Sequence, residues 1–489
     1  MKLTRRNFVL FLLINSQLLS SLPTLASKYD SQEYDLIIVG SGLAGLTCGC
    51  LSLALGIKSV VIFEKEPVIG GTSAITNGFW TVGGTNLQKI FGIEDSDESL
   101  YKDMLDLGAG KNNTDLVQKF VISNHRQYNW VINQGISPKS IVFAESKQRA
   151  HVFDIEELIE LHRQFFTRRG GKIITSARVE DLVVEKDKVV GVVYEQAQSK
   201  KTAIAKKGVL LATGGFSRNK DMLKRYSPQL RKAAVIAGEG ATGDGLEMAL
   251  KLGAEIIDTE HLKASFGFVR NPSTMDDLSL IQYFGAIIVN QEGQRFVNES
   301  LPYKELADYA LAQNGRETFV VFDERIRKEG MEQPPDKHIW SKSTRNKLEG
   351  IVFSAATVEE AAEKAGLNGP AVAETVRQYN ERVKRGLKDD FGRIGLPGSD
   401  RLRPLKEIKD APFYVFPTTP AIIGTYCGLR VDTHSRVLKP DGTTINGLWA
   451  AGEIMGGVHG ASFMMGTALA KAAAFGRIAA FSIAEKEDR

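Results

Sequence analysis

One feature near the start of the chain constrains its fold more than any other. The largely apolar run at residues 34–39 leads without a break into Gly40-Ser41-Gly42-Leu43-Ala44-Gly45, and small, helix-compatible residues continue to Leu55. Period and composition read as a buried parallel strand, a glycine turn and a helix. Each glycine answers a different steric demand. Gly40 allows the tight turn, Gly42 lets the backbone approach a pyrophosphate, and Gly45 lets helix and strand pack closely, with Ala44 in the same turn. The helix N-terminus then offers unpaired N–H groups to phosphate oxygens. A second strand over 59–63 ends at Glu64, nineteen residues after Gly45, where a carboxylate can accept both hydroxyls of a ribose.

A second glycine segment follows at once, running from Glu64 through Gly70-Gly71-Thr72-Ser73 to Asn77-Gly78. Glycines there let the chain pass close to a diphosphate and a flavin ring, and domains that bind only NAD do not usually carry this segment. FAD is therefore the expected cofactor. Two later segments repeat the strand-then-glycine pattern: 209–212 ending in Thr213-Gly214-Gly215-Phe216, and Leu448-Trp449-Ala450-Ala451-Gly452-Glu453. Glu453 is placed to accept hydrogen bonds from a ribityl chain. A helix starting near Thr467 points its positive end at the flavin N1 and O2, where negative charge builds on reduction. The nucleotide fold is split, with an insertion between its parts.

The rest of the chain sets limits. With 489 residues, 43% hydrophobic and 25% charged, it can build two or three cores. Its formal net charge of +4 is spread among acids, which excludes a nucleic-acid footprint. Residues 1–26 differ in character: Thr4-Arg5-Arg6-Asn7-Phe8, a short apolar stretch broken by Asn15-Ser16-Gln17, and Thr24-Leu25-Ala26 at the end. This reads as a cleavable twin-arginine export signal and places the mature protein in a periplasm. Cys48, Cys50 and Cys427 give no disulfide framework and no covalent haem motif, and core packing is the favoured reading of the first two. No histidine pair has metal-ligand spacing, so no metal site is indicated.

These motifs together resemble the flavoprotein of fumarate reductase and succinate dehydrogenase, in its soluble flavocytochrome c branch. The resemblance rests also on Thr242-Gly243-Asp244-Gly245-Leu246, on Gly293-Gln294-Arg295-Phe296-Val297-Asn298-Glu299 and on Ala451-Gly452-Glu453-Ile454-Met455-Gly456-Gly457-Val458-His459-Gly460-Ala461. It implies an α/β fold: a split Rossmann-type FAD-binding domain at 28–261 and 425–489, with an α+β capping domain at 262–424. It also implies further cofactor contacts at Val179, Asp244, Ala468 and Leu469. Membrane-bound members attach FAD to a histidine after the paired glycines. Here Thr72-Ser73-Ala74 occupies that stretch, so attachment is expected to be non-covalent. With no haem motif in the chain, electrons are expected from a separate carrier, a multihaem cytochrome c.

The substrate half departs from the family. The proton-donating arginine falls at Tyr303, a carboxylate-binding histidine at Gly424, and a carboxylate-binding arginine at Phe463 within Ser462-Phe463-Met464-Met465-Gly466. An unpaired dianion in a closed site costs several kcal/mol, which argues against fumarate. An apolar end suits a methyl, vinyl or larger group in place of a second carboxylate, although Phe463 can equally pack against the flavin. A phenol stays protonated at neutral pH and can donate, so Tyr303 is the candidate acid, set against plain packing in the cap. Tyr426, Tyr283 and Lys304 are the other candidates near the cleft, and Arg270 is a possible ligand for one carboxylate. The preferred expectation is a reductase of the C=C bond of a small unsaturated monocarboxylate, of the methacrylate or acrylate type, in anaerobic respiration. Reduction of fumarate, urocanate or cinnamate, a ketosteroid-like dehydrogenase, and an electron carrier without a substrate are the alternatives.

Overall fold

A computed structural model describes residues 31–145, 147–315, 317–332, 336–341, 350–398 and 401–488. The expected export signal lies outside the described residues. Strand β1 (Ser31–Val39) is flanked on both sides by parallel neighbours, Val60–Phe63 and Ser199–Leu211, and its Leu36, Ile37 and Ile38 are fully buried. A strand covered on both faces reads as a continuous apolar run rather than an alternation, which is how the sequence signalled it. Lys172–Ile174 extends the sheet beyond Val60–Phe63, and Thr444–Ala450 joins Ser199–Leu211 in parallel from more than two hundred residues away. An antiparallel meander over Ala177–Glu185 and Lys188–Gln196, with the edge strand Arg436–Leu438, completes eight strands.

The register decides where a ligand can sit. Val39 pairs with Phe63 and with Leu211, and Leu211 pairs with Ala450, so four parallel strands end level with one another. Ligands of open α/β sheets bind beyond such carboxyl ends. Helix α1 (Leu43–Ala54) leaves this edge just after β1, with ten of its residues buried, Cys48 and Cys50 among them. Both thiols lie in the core, where burial pushes Cys48 up to about 12 and Cys50 higher still.

A second sheet of six strands stands apart in the topology. Its centre is a strand at Phe413–Ile422, paired with Ala234–Val235, Thr318–Asp323 and Phe353–Ala355, and with Ile287–Val289 beyond Thr318–Asp323. Strand β2 (Ser265–Val269), buried throughout, pairs with the same central strand. We call the central strand β3. Helix α2 (Tyr303–Leu311) follows Pro302 and packs on β2 and β3. The last long helix, α3 (Thr467–Ile483), returns to the first sheet and lies on α1, where a Cβ at Gly476 would meet the Ala44 carbonyl at 2.4 Å. Only glycine permits that approach. Among the described residues no helix is long and apolar enough to cross a membrane.

Candidate active site

The level strand ends open onto one elongated cavity of about 420 Å³. Gly40, Gly42 and Ala44 line it beyond β1, Glu64 beyond Val60–Phe63, Gly214 beyond Ser199–Leu211, and Glu453 beyond Thr444–Ala450. Gly71, Thr72, Ser73, Asn77, Val179, Asp244, Ala468 and Leu469 line it as well. The structure thus brings together residues spread over more than four hundred positions. Two expected contacts stand behind the wall instead. A Cβ at Gly45 would meet the Gly40 carbonyl at 2.1 Å, which is the close helix–strand packing expected of the third glycine. Gly78 has a φ of +69°, and its own Cβ would meet the Phe153 carbonyl at 2.0 Å, so it serves the backbone crossing to Phe153 rather than the cavity.

Hydrogen bonds fix the cofactor end. Ser41 donates to Glu64 Oε2 from its N–H at 2.9 Å and from its hydroxyl at 2.6 Å, while the Glu66 N–H donates to Oε1. The Glu64 carboxylate is therefore oriented before any ribose arrives. Leu43 N–H donates to Ser73 Oγ, and Gly238 N–H to Thr72 Oγ1, which ties the second glycine segment to the first turn and to the next loop. Asp244 is ion-paired to Lys65 and Arg178 at 3.1 Å each and accepts from Thr242. Burial opposes its ionisation, but the Thr242 hydroxyl and the Lys65 charge win and hold the carboxyl below its ordinary value.

A flavin fits this cavity on steric grounds. A Cβ at Gly71 or Gly214 would meet nothing within 4 Å, and one at Gly42 only Ser73 Oγ and the Gly70 carbonyl at 3.6 and 3.8 Å, so glycine here leaves room for something outside the chain. At the far end Glu453 is enclosed, accepting the Thr425 N–H at 2.7 Å and its hydroxyl at 3.2 Å, and burial pushes the carboxyl up. Gly466 precedes helix α3 as its N-cap and offers no side-chain cap, and Ala468 and Leu469 in the first turn line the cavity, so the helix's positive end is directed there.

Beyond that end lie the residues that depart from the family. Gly424, Tyr303, Tyr426 and Phe463 all line the cavity. Phe463 stacks on Tyr426 with centroids 4.4 Å apart, and His459 meets both rings edge-on. Tyr426 adopts a φ of +52°, a left-handed conformation that costs a non-glycine residue about a kcal/mol or more and that clusters at functional sites. Burial, and for Tyr303 the facing Glu145 charge, pushes both phenols above their ordinary value, so each stays protonated. Phe268, Met275, Leu278, Leu280, Ile236 and Ile423 add apolar lining to the same cavity.

The R-F-x-N-E segment sets where Tyr303 stands. Arg295 grips Glu299 through two contacts of 2.7 Å and reaches Asp389 at the same distance, and Arg393 closes on Glu299 at 3.2 Å, all with side chains nearly or wholly buried. This network anchors the chain four residues before α2 starts. Two sequence candidates fall away from the cavity. Arg270 is spent on a surface ion pair with Glu317, and Tyr283 donates its hydroxyl to the Leu301 carbonyl at 2.9 Å. Ser265, not among the residues expected from the sequence, also lines the cavity and accepts a hydrogen bond from Lys304 at 2.7 Å. No periodicity marks that serine.

The chain belongs to the FAD binding domain family, which matches it over residues 35–469, and it binds FAD. Within that class it is similar to fumarate and enoate reductases. It is 30% identical over 455 residues to "Fumarate reductase (cytochrome)" of Shewanella frigidimarina, covering 91% of this chain and 76% of that one. It is 30% identical over 466 residues to "NADH:fumarate oxidoreductase" of Klebsiella pneumoniae (strain 342), and 29% identical over 537 to "NADH:acrylate oxidoreductase" of Vibrio harveyi. The matches take in 93% and 94% of this chain, which spans about half of those two relatives, 48% and 51%. Among solved structures, the open conformation of a flavocytochrome c3 fumarate reductase is similar with a TM-score of 0.80 and 27% identity, over 96% of this chain and 81% of that one.

Proposed function

We propose that the protein reduces the activated C=C bond of a small unsaturated monocarboxylate, of the methacrylate or acrylate type. One observation carries this: at the substrate end of the cavity, where the family places carboxylate ligands, stand Gly424 and the stacked pair Phe463 and Tyr426. An apolar, aromatic surface leaves a second carboxylate unpaired and welcomes a methyl or vinyl group. When bound, reduced FAD supplies a hydride for the β-carbon. Tyr303 then delivers the proton to the α-carbon, and Tyr426 donates a hydrogen bond to the substrate oxygen. Glu64, Asp244, Glu453 and the glycines hold the cofactor non-covalently, since Thr72-Ser73-Ala74 offers no histidine.

Electrons come from a separate multihaem cytochrome c in the periplasm, a reading supported by the cytochrome-type relatives and by the twin arginines at Arg5 and Arg6. The domain limits 28–261, 262–424 and 425–489 are part of the same proposal. The second reading, a larger substrate such as cinnamate, urocanate or a ketosteroid, rests on the apolar lining at Phe268, Leu278 and Leu280. The test is oxidation of reduced methyl viologen by the purified flavoprotein with methacrylate, acrylate, fumarate, urocanate, cinnamate and an unsaturated steroid. Monocarboxylates are expected to lead. Dye reduction by a saturated ketone, with no enoate reduced, would reverse the assignment.

A further inference from the structure

Lys304 is the second residue of α2 and is 2% exposed. Its ammonium nitrogen sits 4.7 Å from the centroid of the Tyr426 ring, 5.4 Å from that of Phe463 and 5.6 Å from that of Tyr303, the three rings that close the substrate end of the cavity. It donates at 2.7 Å to Ser265 Oγ, and Ser265 lines the cavity. No carboxylate of the described residues is ion-paired to it. Asp308, one turn along α2, lies near enough to favour the charge but pairs with Lys263 at 3.2 Å, and Lys263 itself opposes the charge. His459 is held neutral by burial and by the neighbouring Lys471 and Lys304. Beyond Ser265, β2 presents no ionisable group, and the only one on β3, Tyr414, is bonded to Glu324. The short helix Pro228–Lys232 against α2 carries Arg231 and Lys232, both exposed. A buried amine without its own counter-ion is costly unless something supplies one.

We propose that Ser265 and Lys304 form one carboxylate-recognition unit, in which the Ser265 hydroxyl touches a substrate oxygen and Lys304 behind it provides the positive charge. An ammonium can only donate. While Lys304 is charged, Ser265 Oγ must accept from it, and the serine hydrogen is free to point at the cavity. A neutral amine can accept from that hydrogen instead and turn it away. The substrate anion is thus the missing counter-ion. Burial pulls the Lys304 amine down to about 7, so carboxylate binding is coupled to proton uptake near neutral pH. This inference rests on the monocarboxylate reading of the substrate. Lys304 is a positioning residue, since it acts through Ser265.

The test titrates the oxidised holoenzyme with isobutyrate, and with isobutyramide as the uncharged control, following the flavin absorbance from pH 5.5 to 9. Wild type is expected to bind isobutyrate with a Kd that is flat below about pH 7 and rises about tenfold per pH unit above it. Calorimetry in two buffers of different ionisation enthalpy is expected to show close to one proton taken up at pH 8.5 and almost none at pH 5.5. Lys304→Met is expected to weaken isobutyrate roughly 10- to 150-fold at pH 6 and to remove the pH dependence. Isobutyramide is expected to change far less. Ser265→Ala is expected to weaken isobutyrate as well, and it supplies the answer if the lysine variant fails to retain FAD. Absence of isobutyrate binding, binding without proton uptake, or a Lys304→Met variant with the wild-type pH profile would overturn the proposal. These binding results stand apart from turnover: a wild-type enzyme that binds isobutyrate with proton uptake but reduces no enoate would contradict the proposed reaction and leave the recognition unit intact.

Discussion

Two glycines three residues apart make opposite demands, and alanine at each separates fold from cofactor. In Gly45→Ala the new methyl lies 2.1 Å from the Gly40 carbonyl oxygen in the β1–α1 turn and 3.2 Å from Ile38 Cγ2 on β1. Overpacking against backbone costs up to about 3 kcal/mol. Alanine in a helix interior returns about 1 kcal/mol, so a net loss of about 2 kcal/mol is expected with or without FAD. In Gly42→Ala the backbone φ of −64° suits any residue, and the nearest atoms are 3.6 and 3.8 Å away. The apoprotein is expected to lose less than about 1 kcal/mol, the difference between glycine and alanine at an N-cap. The methyl instead enters the space where a pyrophosphate approaches, which costs the cofactor about 1–3 kcal/mol, or roughly 5- to 150-fold in Kd. Denaturant unfolding of the two apoproteins and FAD titration by fluorescence quenching read both effects. A Gly45→Ala apoprotein of wild-type stability would contradict the steric role of Gly45, and a Gly42→Ala protein with wild-type FAD affinity would contradict the approach of the pyrophosphate to Gly42.

Three further outcomes follow from the same geometry. Tyr303→Phe is expected to lower kcat by roughly 10²- to 10⁴-fold with flavin content and Tm unchanged, measured as viologen oxidation against an enoate, because only the proton donor is removed. Glu299→Gln leaves buried Arg295 and Arg393 short of their counter-charge and is expected to cost about 3–5 kcal/mol in denaturant unfolding, with loss of activity as α2 comes unmoored. His162 is buried with its Nδ1 on the Leu158 carbonyl, and burial pulls it down to about 4. Its folded value lies below its unfolded value of about 6.5, so the unfolded chain binds the extra proton. Wild type therefore loses stability as pH falls from about 6.5 toward 4, and in unfolding profiles its stability relative to His162→Leu is expected to fall across that window.

Much of the cofactor half was legible because its constraints are local. A strand buried on both faces must be continuously apolar, and the turn after it can only be glycine, so 34–45 announced itself. Glu64 followed from the length of one helix and one strand. The join between Ser199–Leu211 and Thr444–Ala450 was readable as a repeated pattern, though nothing local requires their pairing. The substrate end is different, since it is assembled from segments far apart in the chain. Gly424 and Phe463 could be located against the family pattern, but not that Phe463 would stack on Tyr426, or that Tyr426 would take a left-handed backbone. Lys304 could be noticed only as the neighbour of Tyr303. Its role depends on Ser265, thirty-nine residues earlier, and on the turn at Pro302 that starts α2. Arg270 looked available because sequence cannot show that Glu317 lies beside it.

On the proposed function, this FAD site carries a substrate end for one carboxylate rather than two. Comparing kcat/KM for methacrylate, acrylate and fumarate with reduced methyl viologen as donor tests it most directly. A monocarboxylate is expected to exceed fumarate by at least about tenfold, the worth of one unpaired buried charge-assisted bond. Fumarate as the best acceptor would contradict it.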